Sequence, residues 1–318
     1  MRAPAFWNQD GLPARLLSPL GALTAAATAR RVDRLGWEPL IPVFCCGNAT
    51  MGGAGKTTVA LDLVARLIAH GRSVHILTRG YGGRVRGLLR VNPALHDAAL
   101  VGDEPLLLAQ IAPVWVGANR AEAARAALKA GAEVLVMDDG LQNPTLAGRH
   151  NALVIDGGGG FGNARLFPAG PLREPVAAAA GRCDLAILIG PDDRGALAAL
   201  PPTLPVLRAS LVPVGAEAVA GQRVHAFAGI GRPEKFFASL TQAGAVVICR
   251  TVFPDHHRYT ANQLDRLLRR AARENARPVT TPKDAVRIPA AFRAHIDVVG
   301  VALNWERPAA IELWLNSP

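Results

Sequence analysis

The segment Gly47-Asn-Ala-Thr-Met-Gly-Gly-Ala-Gly-Lys-Thr-Thr58 sets glycines, a lysine and hydroxyls at the spacing of a phosphate-binding loop. Gly52, Gly53 and Gly55 let backbone N–H groups converge on phosphate oxygens at a helix N-terminus, where the dipole favours negative charge. Lys56 has the reach for the β- and γ-phosphates, and the Thr57 hydroxyl suits a Mg²⁺ ligand. The nucleotide contacts expected from this loop are Thr50, Met51, Gly52, Gly53, Ala54, Gly55, Lys56, Thr57 and Thr58. Thr50 stands where the strict pattern has glycine. The bland alternative is a chance Gly-Lys-Thr in a glycine turn, and the ordered run of strand, loop, lysine, hydroxyl and helix argues against it.

Two further acidic pairs carry chemistry. Val134-Leu-Val-Met-Asp-Asp139 is an apolar strand that delivers Asp138 and Asp139 at its C-terminal end, where open α/β sheets bind ligands. Both are assigned to Mg²⁺, directly or through water, without ranking. Asp103 and Glu104 lie in a loop bounded by glycine and proline, ahead of a leucine-rich helix; capping that helix is the bland reading. Phosphoryl transfer to an alcohol needs a proton acceptor, and with the strand-end aspartates committed to Mg²⁺, Asp103 is the preferred base.

Asp255-His256-His257 offers adjacent imidazoles that suit orienting or assisting a base. No other cysteine or histidine stands at a zinc-like spacing from them, which argues against zinc there. Arg79 in Arg79-Gly-Tyr-Gly-Gly83 and Arg173 in Pro168-Ala-Gly-Pro-Leu-Arg-Glu174 sit in turn-like settings. Solvated arginines are the plain reading and phosphate recognition the sharper one. Arg79, Glu104, Arg173 and Glu174 are the expected substrate contacts.

These groups need a scaffold. From residue 40 short apolar runs alternate with helical patterns, the signature of βαβ units and a mostly parallel sheet with helices on both faces. Strands are expected at Leu40 to Cys46, Val74 to Leu77, Val114 to Val116, Val134 to Met137, Leu153 to Ile155 and Leu185 to Leu188. After the first, Ala60, Leu63, Val64, Leu67 and Ile68 recur at helical spacing until Gly71. The proline-rich stretch Pro191 to Pro213 breaks the pattern, so a P-loop domain over 1–215 and a smaller α/β domain over 216–318 are expected. The second unit reads as strands at Val224 to Ala228, Ala245 to Ile248 and Ile296 to Val301, with helices from Pro233 and from Thr260 to about Asn275. Arg266, Arg269, Arg270 and Arg273 on the last helix read as a solvated face, with a membrane-facing patch as the minority reading.

The chain has 318 residues, half of them hydrophobic, and a net charge of +10, which favours anionic partners. Aromatics are only 5% of residues and no basic stretch is interleaved with them, so nucleic acid ranks last. Cys45, Cys46, Cys183 and Cys249 are too few for a disulfide framework, and a cytosolic setting follows. The segment Leu16 to Ala29 is apolar or small, with Trp7 and Arg15 before it and Arg30 and Arg31 after it. A signal peptide is at odds with the nucleotide loop that follows; a buried helix and a helix lying in a membrane interface remain open.

Taken in order, these segments resemble the tetraacyldisaccharide 4′-kinases, the lipid A 4′-kinases of Gram-negative bacteria. The resemblance runs through Phe6-Trp7, Gly47 to Thr57, Thr78 to Gly83, Gly102 to Pro105, Asp138 to Gln142, Gly162-Asn163, Leu166 to Pro175, Ala228 to Gly231, Asp255 to His257 and Thr281 to Asp284. It implies transfer of the ATP γ-phosphate, with Mg²⁺, to the 4′-hydroxyl of a tetraacyl glucosamine disaccharide 1-phosphate. It further implies a peripheral enzyme at the cytoplasmic face of the inner membrane, two domains closing over the nucleotide, and Asp103 as base supported by His256 or His257. No stable protein partner is implied. Thr58 and Pro282 depart from the residues common in relatives, proline and glutamate, and neither change touches a group assigned to the chemistry of transfer. Two rivals share the loop: a P-loop ATPase or GTPase acting on a protein or metal partner, and a kinase of a soluble metabolite.

Overall fold

A computed structural model describes residues 4–317. Its larger sheet has nine strands in the order Gly300–Trp305, Val206–Val214, Leu185–Ile189, His150–Asp156, Val43–Gly47, Val134–Asp138, Val74–Thr78, Val114–Val116 and Leu89–Arg90. The seven inner strands pair in parallel, and each edge strand pairs antiparallel. The central strands are buried along their whole length, as near-continuous apolar runs require when helices cover both faces. On one side Val59, Leu63 and Leu67 of the Lys56–Ala69 helix pack into the main core. On the other, Ala123, Ala124 and Ala127 of the Arg120–Lys129 helix lie against Val43, Leu77 and Leu135. All four cysteines are free thiols, with Cys45 and Cys46 buried.

A second, all-parallel sheet has the order Val246–Val252, Arg223–Ala228, Arg277–Thr280 and Asp297–Val298. Phe236, Phe237 and Leu240 of the Pro233–Gln242 helix cover one face. Leu264 and Leu267 of the Ala261–Arg273 helix meet Phe227 on the other.

The chain beyond residue 215 does not stay with the small sheet. The run read as a single strand, Ile296 to Val301, divides at Val299: Asp297–Val298 ends the small sheet, and Gly300–Trp305 crosses to the large one, where Gly300 pairs with Val214. The Pro308–Leu315 helix follows it, and Trp314 packs edge-on against Phe44 at 5.0 Å. The smaller domain is therefore an insertion, because the apolar surface of Leu303, Trp305, Ile311 and Trp314 is buried in the first core. The stretch Pro191 to Pro213 is likewise more than a connector, since Val206–Val214 supplies the strand that Gly300–Trp305 pairs with.

Candidate active site

The phosphate loop leaves the C-terminal end of Val43–Gly47 and enters the Lys56–Ala69 helix at Gly55, whose φ of 89° is a left-handed value that favours glycine. A Cβ on Gly52 or Gly53 would meet nothing within 4 Å, so the loop's backbone faces open space at the size a phosphate group needs. Thr50 earns its place here. Its hydroxyl accepts a hydrogen bond from Asn48 Nδ2 at 3.0 Å, and its backbone bridges Leu172. The Met51 N–H donates to Pro171 O at 2.6 Å and the Arg173 N–H to Ala49 O at 2.7 Å, so the 171–173 segment braces the loop from behind.

Val134–Asp138 runs beside the loop strand and brings its carboxylates level with it, Asp138 pairing with Cys46. The Thr57 hydroxyl donates to Asp138 Oδ2 at 3.2 Å, while Asp138 Oδ1 is buried with no hydrogen-bond partner. Burial, and then the neighbouring Asp139, push the Asp138 carboxyl up to about 7. A buried oxygen without a donor, beside a threonine hydroxyl, suits a cation. Asp139 sits at a left-handed φ of 57°. It is held below the ordinary carboxylate range: burial would raise it, but Lys56 at 3.7 Å and a two-toothed Arg173 contact at 2.9 and 3.2 Å outweigh that. The two aspartates thus differ in kind, one poised for a cation and one already neutralised.

Across the cleft, Asp103 opens the Asp103–Leu108 helix and is buried. Gly102, at φ 93°, abuts the Gly80–Gly83 turn, because a Cβ there would come within 2.5 Å of Tyr81 O. The insertion domain reaches Asp103 with two groups. Nδ1 of His256 donates to its Oδ2 at 2.8 Å, and Nε of Arg287 lies 3.2 Å from the same oxygen. His257 turns elsewhere. Its Nε2 meets Gln263 Oε1 at 3.1 Å, the oxygen that also accepts from the Thr260 N–H in a capping box, and its ring stacks on Phe253 at 4.6 Å. The geometry therefore separates two histidines that the sequence left equivalent.

The expected substrate contacts fare unevenly. Arg79 is exposed at the end of Val74–Thr78, beside the turn that presents Tyr81. Glu104 is paired with Lys283 at 2.7 Å, a contact between the domains. Arg173 is committed to Asp139. Glu174 is buried, accepting from Arg182 at 2.7 and 2.8 Å and from Gln142 Nε2 at 2.9 Å. Gln142 also donates to Asn48 O at 2.9 Å. Arg173 and Glu174 thus both hold protein partners beside the loop.

Three residues went unseen in the sequence. Arg287 is nearly fully buried, donating to Gly229 O, His257 O and Asp284 as well as touching Asp103. Arg120 is buried beside the acidic turn; burial lowers its guanidinium to about 10, against the pull of Asp139 and Asp138. Tyr81 is exposed, with its ring 6.1 Å from that of His256. Each is an ordinary residue type at no motif spacing, and only Tyr81 lay inside a glycine-rich turn that pointed to it.

Residues 13–317 match the family described as tetraacyldisaccharide-1-P 4′-kinase. The chain is 57% identical over 323 residues to the tetraacyldisaccharide 4′-kinase of Gluconacetobacter diazotrophicus, covering 99% of each. It is 51% identical over 320 residues to that of Rhodospirillum centenum, covering 98% of this chain and 95% of the relative. Its fold is similar to the crystal structure of "apo" form LpxK from Aquifex aeolicus in complex with ATP, with a TM-score of 0.77 at 24% identity over 95% of this chain and 98% of that one. A match that extends over almost the whole length, with relatives identical at half of their positions or more, means that this chain belongs to the tetraacyldisaccharide-1-P 4′-kinase family.

Proposed function

We propose that the chain performs its family's reaction with Asp103 as the proton acceptor, transferring the ATP γ-phosphate to the 4′-hydroxyl of a tetraacyl glucosamine disaccharide 1-phosphate. The observation that carries this assignment is the pairing of buried Asp103 with His256 of the insertion domain. The hydroxyl proton goes to Asp103 as the oxygen bonds to the γ-phosphorus and the bond to the β-phosphate oxygen breaks, releasing ADP. His256 orients the carboxylate and, with Arg287, couples proton transfer to the seating of the insertion domain. Lys56 offsets charge on the transferring group. Thr57 and Asp138 would hold Mg²⁺, which when bound neutralises charge on the phosphate oxygens. Arg79, exposed just past the end of Val74–Thr78, is a cation available to the substrate's phosphate.

The Leu12–Val32 helix supports peripheral membrane contact. Leu12, Leu16, Leu20 and Leu23 form an exposed apolar stripe at helical spacing, while Ala14, Gly21 and Thr28 face the protein. No helix among the described residues is long and apolar enough to cross a membrane. On this reading the acyl chains stay in the lipid while the sugar reaches an enzyme resting on the inner membrane's cytoplasmic face. The test is transfer of labelled γ-phosphate to the acylated disaccharide 1-phosphate by wild type and Asp103→Asn. Loss of transfer with ATP binding retained supports the assignment, and wild-type turnover in the variant overturns it.

A further inference from the structure

The insertion domain carries a cluster that the reaction does not use. His225 on Arg223–Ala228 and Cys249 on Val246–Val252 are directly paired across adjacent parallel strands, at a point where the register shifts beside Cys249. Both are buried. Glu274, just past the end of the Ala261–Arg273 helix that packs on this face, comes over them, and the three side chains each bring a donor atom within 4.8 Å of the other two.

Two of the polar atoms here have no partner. His225 Nδ1 is buried with no hydrogen bond, and so is Glu274 Oε2, although the other carboxylate oxygen accepts from Arg270 Nε at 3.1 Å. Unpaired buried polar atoms are costly, and two of them converging on a thiol call for a ligand that accepts all three. His225 Nε2 lies 2.8 Å from Thr251 Oγ1. With Nε2–H donating there, Nδ1 keeps its lone pair, the arrangement by which an outer hydrogen bond fixes a metal-binding imidazole.

We propose that His225, Cys249 and Glu274 form a binding site for a divalent zinc-class cation, structural in role and separate from the catalytic centre. Sulfur, imidazole nitrogen and carboxylate oxygen are zinc's ligand set, and the ligand atoms of a tetrahedral zinc site lie about 3.5 Å apart, a contraction that side-chain rotation supplies. The partly exposed Glu274 side leaves room for water as a fourth ligand. Binding releases the Cys249 proton to solvent, since the thiolate is the ligand. Arg266, Arg269, Arg270 and Arg273 surround the groove beside Glu274 and would repel a bare dication. The thiolate and carboxylate cancel its two charges, so the occupied site is neutral. Its effect is to pin the end of the Ala261–Arg273 helix to two strands, toward the end of the small sheet opposite Gly229 and His256.

Cobalt substitution tests this in the full-length protein, reduced, stripped of metal and freed of chelator. Titration with Co²⁺ should saturate at one equivalent with a near-ultraviolet thiolate-to-cobalt band, which Zn²⁺ bleaches. Cys249→Ser should abolish the band and Cys183→Ser should keep it. Glu274→Gln, at a partly exposed position, should weaken Co²⁺ binding roughly tenfold or more. Absence of a thiolate band in the wild type overturns the proposal, as does a band that survives Cys249→Ser. If Cys249→Ser does not fold by circular dichroism, Glu274→Gln decides: unchanged affinity overturns the site, and weakened affinity supports it.

Discussion

Nδ1 of His256 lies 2.8 Å from Oδ2 of Asp103, joining residues 153 positions apart, one at the start of the Asp103–Leu108 helix and the other in the turn after the Val246–Val252 strand. With Asp103 as the proposed base and His256 as its orienting partner, the base would be complete only when the insertion domain is seated.

Replacing His256 with alanine should therefore lower kcat by about 10²-fold while leaving the KM for ATP within a few-fold, because the histidine acts through Asp103 and not on the nucleotide. His257→Ala should leave kcat within a few-fold and instead lower the thermal midpoint, since His257 serves the Thr260 cap and the Phe253 stack. Steady-state kinetics beside thermal melts separates the two; the reverse pattern would exchange the roles of the histidines.

Asp138→Asn should abolish transfer and yet stabilise the Mg²⁺-free protein at pH 8. The wild-type carboxyl titrates near 7 in the folded chain and near 4 when unfolded. The folded state thus holds the proton more tightly, and wild-type stability falls as pH rises through that window. The gain from asparagine should be nil near pH 4, grow to a few kcal/mol by about pH 7 and level off above it. Denaturant melts at pH 4, 6 and 8 check the sign; a gain largest at low pH would contradict the buried, unpartnered Oδ1.

Glu174→Gln should cost about 2–3 kcal/mol of stability, because it strips the charge from a buried carboxylate that Arg182 holds at two points. Its effect on the KM for lipid should be no greater than its effect on the KM for ATP. A selective rise in lipid KM with unchanged stability would return Glu174 to the substrate side.

Leu16→Ser combined with Leu20→Ser should release the protein from anionic vesicles while preserving ATP binding, since both side chains point outward. Wild-type sedimentation should weaken but persist in high salt, with Arg30 and Arg31 each adding roughly 1 kcal/mol near an anionic surface. Truncating the whole segment is a poorer test, because Trp7 donates to Pro168 O and Asn163 holds Phe6 O and Gln9 O. Those contacts tie the N-terminus to the loop that braces the nucleotide site.

The inner strands of the large sheet were legible because burial on both faces leaves continuous apolar runs such as Val134 to Met137. Val206–Val214 was not, since it is flanked by Pro205 and carries Arg208, Ser210 and Pro213 near the sheet's edge, where ladder and burial demands relax. The phosphate loop and Asp138 were readable from local spacing. Arg287 and Arg120 were not, because their significance lies in what the tertiary fold brings to them: one arginine among many becomes distinctive only when it is buried against Asp103 or the acidic turn. The same limit applied to Glu174, whose type suited a sugar hydroxyl as well as it suits Arg182.

The return of Gly300–Trp305 and the Pro308–Leu315 helix to the first sheet has a consequence for synthesis on the ribosome. The phosphate loop is translated well before Trp314, which closes over Phe44 behind the loop's own strand. A nascent chain therefore carries its nucleotide domain with an open edge and an uncovered core until the Gly300–Trp305 strand and the helix after it have emerged. A chain cut before Gly300 should therefore lose ATP binding, although the residues removed lie outside the phosphate loop.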